Sequence, residues 1–308
     1  MDGTGEVGFL GLGQMGGAMT ERLLRSGVRL HVHDPSAAAM DRLVPLGAVP
    51  HDSPAAVADA ADLVLACLPN AGVSEAVLAG PDGVLAGTRV ATYVEVSTVG
   101  SAAAERIAAT LAARGIGFLD APISGGPPGA RAGTLAVMAA GPGPVLARAR
   151  PVLDRLGRTV VHVGERPGLG QMMKLVNNLV VAANMATLFE ALVLGAKAGL
   201  DPDQMAAVVN ASTGRSMVSQ EMLPASVLSG RFDFGATVSV MEKDVSLGLA
   251  EAARLGVPMW TLEQSARLWR FARIQGMAGD DITALIRLME GWAGTSVRGA
   301  AARSSSGS

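Results

Sequence analysis

The chain is short of several residues on which common functions depend. Among its 308 residues there is one cysteine, Cys67. A single thiol permits no internal disulfide and no cysteine-built metal cage, so no metal is expected. Lysine is almost as scarce: of 25 basic side chains only Lys174, Lys197 and Lys243 are lysines. Charged residues make up just 17% of the chain, and the net charge is −2, which argues against a nucleic-acid partner. No run of roughly 18–20 apolar residues is free of charges and helix breakers, which argues against a membrane span. Met1–Glu6 carries acidic residues and no basic stretch, so no secretory leader is expected, and a cytoplasmic location is.

What is plentiful is apolar surface. A hydrophobic fraction of 49% suffices to bury a sizeable core and excludes a disordered chain. Two halves follow different patterns. In the first, short β-branched runs (Glu6–Leu10, Val28–His33, Leu63–Leu68, Val90–Val96, Gly117–Leu119, Thr134–Ala139, Thr159–Val163) alternate with Ala-rich helical stretches. That rhythm predicts a parallel sheet covered on both faces. After about Gly168 the pattern is helical throughout, starting with one long, nearly uncharged helix over Gln171–Gly199. The expected architecture is an α/β Rossmann N-terminal domain (1–167) and an all-α C-terminal domain (168–296), joined by a long interdomain helix. A disordered tail (297–308) would follow.

Val7–Gly16 contains Gly11-Leu12-Gly13-Gln14-Met15-Gly16, a GxGxxG placed between a predicted strand and a predicted helix. Gly11 suits the tight turn, Gly13 lets backbone approach a pyrophosphate, and Gly16 lets helix pack on strand. The helix N-terminus adds free N–H groups and positive dipole. Asp34 ends the second strand, where a carboxylate grips ribose hydroxyls and repels a 2′-phosphate. No arginine stands beside it in His33-Asp34-Pro35-Ser36, so NAD is favoured over NADP. Asp34 also suits a helix N-cap, and the two roles are compatible. His31 and His33 read as packing or rim residues.

Hydride chemistry on an alcohol needs a group that moves the hydroxyl proton. All four histidines, His31, His33, His51 and His162, lie in the first half, away from the helical half expected to close over substrate. Tyr93, the only tyrosine, is followed at the fourth position by Ser97 rather than a lysine. Zinc catalysis lacks its ligands. Elimination leaves lysine. Lys174 sits among Met, Leu and Val in the first turns of the long helix, and Asn178 projects from the same face one turn on. Desolvation there would lower its pKa toward a range useful to a general acid or base. Three of the five asparagines (Asn177, Asn178, Asn184) lie on this helix, which marks a polar stripe.

Taken with Cys67-Leu68-Pro69-Asn70, Val96-Ser97-Thr98, the run from Asp120-Ala-Pro-Ile-Ser124-Gly125-Gly126 to Leu135, and Met241-Glu242-Lys243-Asp244, these motifs resemble the β-hydroxyacid dehydrogenases. That family includes 3-hydroxyisobutyrate dehydrogenase and tartronate semialdehyde reductase, and the resemblance covers Val7 to about Trp292. It implies an NAD-dependent oxidoreductase that interconverts a small 3-hydroxy carboxylate and its semialdehyde or keto form. The cofactor residues implied are Gly11, Leu12, Gly13, Gln14, Met15, Gly16, Asp34, Leu68, Pro69, Asn70, Thr98 and Lys243. Ser124, Gly125 and Gly126 would form an anion nest for the substrate carboxylate. Lys174 would move the hydroxyl proton, with Asn178 orienting it, and Asp244 would be structural. Lys197 reads as a helix-end cation.

Three rivals stand beside this reading. An imine reductase on the same architecture would usually lack the lysine. A non-catalytic NAD-binding interaction protein would bind cofactor without turnover. A sugar-phosphate dehydrogenase would need more basic residues, for which Arg215 and Arg231 are candidates. Gly214-Arg215-Ser216 resembles the 3-hydroxyisobutyrate branch, but Met217 stands where that branch usually has Trp. Apolar helices in the second half suggest a homodimer or homotetramer.

Overall fold

The computed structural model describes residues 5–305. Met1–Thr4, most of the stretch read for a leader, and Ser306–Ser308, the end of the expected tail, lie outside the described residues. The chain divides into two compact units, Met1–Lys174 and Leu175–Ser308.

The first unit is built on strands β1 (Val7–Leu10), β2 (Leu30–His33), β3 (Val49–Pro50), β4 (Leu63–Ala66), β5 (Thr92–Glu95), β6 (Gly117–Asp120), β7 (Ile123–Ser124), β8 (Leu135–Ala140) and β9 (Gly157–Gly164). They form one sheet in the order β3-β2-β1-β4-β5-β6-β8-β7, with β9 pairing β8. Side chains alternate between its two faces. Leu63 and Leu65 of β4 join the core that contains Phe9, Met19 and Leu153, whereas Val64 and Ala66 join the one that contains Tyr93, Ile107 and Phe118. Burial on both faces explains why β1, β4 and β8 read as continuous apolar runs.

The sheet is not wholly parallel. From β3 to β6 every pairing is parallel, but β8 runs antiparallel to both β6 and β7. Between β7 and β8 stands only the seven-residue helix Gly126–Ala132. That is less chain than a parallel crossover needs. The sequence pattern also missed β3 and β7, each two residues long, and the helix Ala71–Ala79.

The long helix runs Leu169–Lys197, 29 residues, and crosses the division between the units. Its most apolar window has a mean hydropathy of 1.9, enough by length and composition to cross a membrane. The sequence reading argued against such a span because no run of roughly 18–20 apolar residues is free of charges and helix breakers. In the second unit Leu179, Met185, Phe189 and Leu192 of this helix belong to a core with Met222, Leu223, Trp269 and Leu285. Trp269 is fully buried and donates its indole N–H to the Ala182 carbonyl at 3.3 Å. Val218–Leu228, expected as ordinary helix, is wound as a π-helix with Pro224 inside. Proline supplies no N–H to an α-helical ladder there.

The expected disordered tail is ordered from 297 to 305. Val297 is fully buried, and its N–H donates to Glu290 Oε1 at 2.7 Å. Arg298 pairs with the same carboxylate at 2.6 Å and lies over the Phe232 ring at 4.7 Å. Ala300–Ser305 is helical. Serine and glycine dominate only from 304 onward, and the apolar and paired residues before them anchor the segment.

Candidate active site

At the carboxyl end of β1 the chain makes the turn that the glycines demand. Gly11 has φ +87°, and a Cβ there would lie 2.3 Å from the Cys67 carbonyl oxygen. A Cβ on Gly16 would lie 1.9 Å from the Gly11 carbonyl oxygen, so helix Gln14–Arg25 sits against the turn only because Gly16 has no side chain. Gly13 differs: a Cβ there would meet no atom within 4 Å. Its bareness relieves no internal clash and instead leaves space above the uncapped first turn of the helix. That space belongs to a cleft of about 450 Å³ lined by Leu12, Gly13, Gln14, Asp34, Arg42 and Arg131, among others. A backbone cradle of this kind fits a dinucleotide pyrophosphate.

Asp34 spans the turn. One carboxylate oxygen accepts from Leu12 N at 2.7 Å and the other from Ser36 N at 2.8 Å. Each oxygen keeps a second lone pair for a ribose hydroxyl. Asp34 is not a helix N-cap; Ser36 fills that place for Ala37–Asp41. Leu12 is buried and Met15 packs against the core, so both offer backbone rather than side chain to the cleft. Arg42, which the sequence reading missed, lines the cleft and donates to the Leu12 carbonyl at 3.3 Å.

The next strand ends meet through serine. Leu68 N donates to Ser97 Oγ at 2.6 Å, which joins Leu68-Pro69-Asn70 to Ser97-Thr98. Asn70 caps helix Ala71–Ala79 by accepting from Val73 N at 3.0 Å. Ser97 in turn bonds the Glu95 carboxyl through both its hydroxyl and its N–H. Glu95 is fully buried, and burial pushes its pKa up to about 7 against the opposing pull of the Ser97 bonds. Burial likewise pushes the Cys67 thiol up to about 12, with Glu95 adding to the effect, so this half-buried cysteine, packed against the core, stays a thiol.

At the end of β6, Asp120 is buried, and desolvation raises its pKa to about 6. Its Oδ2 accepts from Gly168 N at 3.1 Å and Gln171 N at 3.0 Å, and its Oδ1 accepts from Gln171 Nε2 at 2.7 Å. Ser124 lies in β7 just beyond. Gly125 and Gly126 follow with φ +128° and +63°, backbone conformations that favour glycine. Lys174 is buried one helical turn after Gln171.

In the second unit Asp244 is the centre. Its carboxylate accepts from Asn178 Nδ2 at 2.6 Å and pairs with Lys243 Nζ at 3.1 Å, and only 3% of the residue is exposed. Asn177 Nδ2 donates to Asn178 Oδ1 at 3.0 Å. Asp244 thus fixes the amide of one candidate site residue and the ammonium of another. Arg231 bonds Asp233 at 3.0 Å and the Ala225 carbonyl at 2.8 Å, which leaves its guanidinium engaged within its own loop. His31 and His51 pair at 2.8 Å at the β2–β3 edge of the sheet.

The sheet order, the GxGxxG turn and the acid ending β2 define a dinucleotide-binding Rossmann unit followed by a helical unit. Two family models match these parts: the NAD-binding domain of 6-phosphogluconate dehydrogenase over residues 6–164, and the NAD-binding domain of NADP-dependent 3-hydroxyisobutyrate dehydrogenase over 168–289. The chain is 37% identical over 295 residues to a 2-(hydroxymethyl)glutarate dehydrogenase of Eubacterium barkeri, covering 96% of this chain and 98% of that protein. It is 38% identical over 271 residues to a 3-hydroxyisobutyrate dehydrogenase of Pseudomonas aeruginosa, covering 84% and 90%. A solved 3-hydroxyisobutyrate dehydrogenase of Mycobacterium tuberculosis with L-serine superposes with TM-score 0.84 at 29% identity, covering 93% of this chain and 99% of that one. The chain belongs to the β-hydroxyacid dehydrogenase family and is an NAD(P)-dependent hydroxyacid dehydrogenase.

Sequence reasoning missed Glu95, Gln171 and Arg42, gave Asp120 no role of its own and understated Asp244. Gln171 did leave a signal, as a polar side chain inside an otherwise apolar first turn. Glu95 left one too, as a charge inside a run of strand-forming residues.

Proposed function

We propose that the enzyme oxidises the primary alcohol of a small 3-hydroxy carboxylate to the semialdehyde, reversibly, with NAD. The names of the relatives support this substrate class. 3-Hydroxyisobutyrate, 2-(hydroxymethyl)glutarate and serine share the unit HOCH2–CH(R)–COO⁻ and differ only in R. Bound nicotinamide supplies the acceptor for the hydride that leaves the carbinol carbon. Ser124 Oγ and the N–H groups of Gly125 and Gly126 hold the carboxylate. Lys174 Nζ, unprotonated at the start of oxidation, takes the hydroxyl proton as the carbonyl forms, and returns it in reduction. Asn178, held by Asp244, orients Lys174 and the substrate hydroxyl, and Lys243 serves the nicotinamide end. Gly11–Gly16 cradle the pyrophosphate, and Leu68, Pro69, Asn70 and Thr98 flank the cofactor. Asp34 binds the ribose hydroxyls and disfavours a 2′-phosphate, so NAD is preferred although Arg42 stands in the same cleft. A homodimer or homotetramer is the assembly expected, and light scattering of the purified chain checks it.

The observation that carries this reading is the burial of Lys174, one of three lysines in the chain, in the opening turns of the helix that follows the Rossmann unit. The test is Lys174→Arg. A guanidinium stays protonated, so NADH binding followed by fluorescence should persist while kcat falls by about 10²–10⁴-fold. Turnover comparable to the native enzyme would remove Lys174 from the acid–base role. A panel of 3-hydroxyisobutyrate, 2-(hydroxymethyl)glutarate, L-serine, glycerate and 3-hydroxypropionate, each with NAD and NADP, tests substrate class and cofactor together. Cofactor binding without turnover of any member would favour the imine-reducing or non-catalytic rival.

A further inference from the structure

Gln171 is fully buried, and its amide uses every hydrogen-bonding position it has. Oε1 accepts from Val99 N at 2.8 Å and Gly100 N at 3.1 Å. Nε2 donates to the Ser97 carbonyl at 3.0 Å and to Asp120 Oδ1 at 2.7 Å. A primary amide offers two acceptor lone pairs and two N–H donors, so nothing is left over. Its partners lie 51 to 74 residues away in sequence. Two are backbone N–H groups, which need an acceptor, and two are oxygens, which need a donor. The orientation of the amide is therefore dictated, and no other uncharged side chain of this length supplies both halves. Around it the packing is close. A Cβ on Gly170 would lie 2.6 Å from the Met138 carbonyl and 2.8 Å from the Asp120 carbonyl, so the first turn of the long helix is pressed directly onto the strand ends.

Resting on the reading of Lys174 given above, we infer that Gln171 is a positioning residue: one buried amide locks the helical turn that carries Lys174 to the Ser97–Gly100 loop and to the β6 end that leads into Ser124. Lys174 follows Gln171 by three residues and so shares its helix face. The loop it grips contains Thr98, and the carboxylate it bonds stands four residues before Ser124. Fixing these three segments to one another fixes where the ammonium, the cofactor-flanking loop and the carboxylate nest stand relative to the reacting carbon. Small misplacements of such groups cost far more in turnover than in binding.

The scarcity of lysine supplies a readout that does not depend on turnover. With three lysines, competitive amine labelling followed by mass spectrometry reports Lys174 individually, with Lys197, at the far end of the same helix, as internal control. In full-length Gln171→Leu, which keeps bulk but removes every bond, labelling of Lys174 relative to Lys197 should change by at least threefold. With 3-hydroxyisobutyrate and NAD, kcat should fall by tenfold or more while KM moves less. Unchanged relative labelling overturns the inference, whatever happens to turnover. So does a rise in labelling of both lysines together with a collapse in melting temperature, because that pattern marks general unfolding.

Gln171→Glu guards against a misfolded leucine variant. The titratable groups facing position 171 are Asp120 directly, Glu95 through Ser97, and Lys174 on the same helix, while Glu105 packs near Gly168 at the helix start. The introduced carboxyl, while neutral, keeps both acceptor bonds and one donor, so near pH 5.5 native-like relative labelling should return. Toward pH 8, loss of its proton beside Asp120 should abolish it. A ratio flat with pH overturns the inference. Failure of the lysine reading looks different: Lys174→Arg would keep full turnover while the labelling response to Gln171→Leu remained.

Discussion

The two ends of the first unit are built from different materials. The nucleotide end, Gly11–Gly16 with Asp34, is made of backbone: its shape depends on side chains that are missing, and its one carboxylate bonds to main-chain N–H groups. The lysine end, Ser97, Asp120 and Gln171 with Glu95 behind them, is made of buried polar side chains that hold loops and a helix start together. A backbone-built site is sensitive to added bulk and tolerant of lost polarity. A network of buried polar groups behaves in the opposite way, since a lost partner leaves another group unsatisfied.

Added bulk gives the largest effect expected from this contrast. Gly16→Val would drive side-chain atoms into the Gly11 carbonyl, so NADH binding should weaken by at least a hundredfold and the melting temperature should fall by roughly 5–10 °C. Gly13→Ala separates the two consequences of bulk. Its methyl meets no protein atom within 4 Å, so the melting temperature should stay put while the dissociation constant for NADH rises about tenfold. Fluorescence titration beside thermal melting reads both, and equal stability losses in the two variants would break the account of the turn.

Removing charge at the nucleotide end should do less. Asp34→Asn keeps an acceptor for Leu12 N but loses the charge, and the NADP-to-NAD ratio of kcat/KM should rise by about tenfold, some 1.4 kcal/mol. Asp34→Ala should shift the ratio similarly and also weaken both cofactors, because the Leu12 and Ser36 bonds disappear. An unchanged ratio in both variants would refute Asp34 as the selector.

The last effect belongs to the lysine end, acts on stability rather than on the cofactor, and is read by pH. Burial lifts Glu95 to about 7 in the folded protein, above the ordinary glutamate value. The folded state therefore binds this proton more tightly than the unfolded chain, and stability is full at low pH and falls as pH rises between about 4.5 and 7. Asp120, raised to about 6, acts in the same direction from about pH 4. Glu95→Gln should flatten the decline, by ~3 kcal/mol at most, in denaturant titrations at pH 5 and pH 7.5. An undiminished decline in the variant would clear Glu95 of responsibility.

The same contrast explains what could be read from the sequence. The nucleotide turn is contiguous: its glycines and the acid ending β2 stand in a fixed order within 24 residues, and the physical reasons for each are local. Strand positions were legible because burial on both faces writes apolar runs into the chain. The Gln171 network was not legible, because its bonds join residues 51 to 74 positions apart and no spacing rule connects them. Asp244 was expected to be structural, but its bond to Asn178 was not legible: the two are 66 residues apart, and only folding of the second unit brings amide to carboxylate. The ordered segment 297–305 was hidden by composition, since one buried valine and one paired arginine outweigh the small residues around them.

All three tryptophans of the chain, Trp260, Trp269 and Trp292, lie in the second unit. Trp269 is fully buried, whereas Trp260 and Trp292 are 82% and 63% exposed. Excitation near 295 nm therefore reports the helical unit alone, and replacing the two exposed indoles by phenylalanine leaves a single emitter in its core. Any melting of the first unit is silent in that signal but visible in far-ultraviolet circular dichroism. The placement of one buried indole thus makes the unfolding of the two units separable by wavelength, without adding a label to the protein.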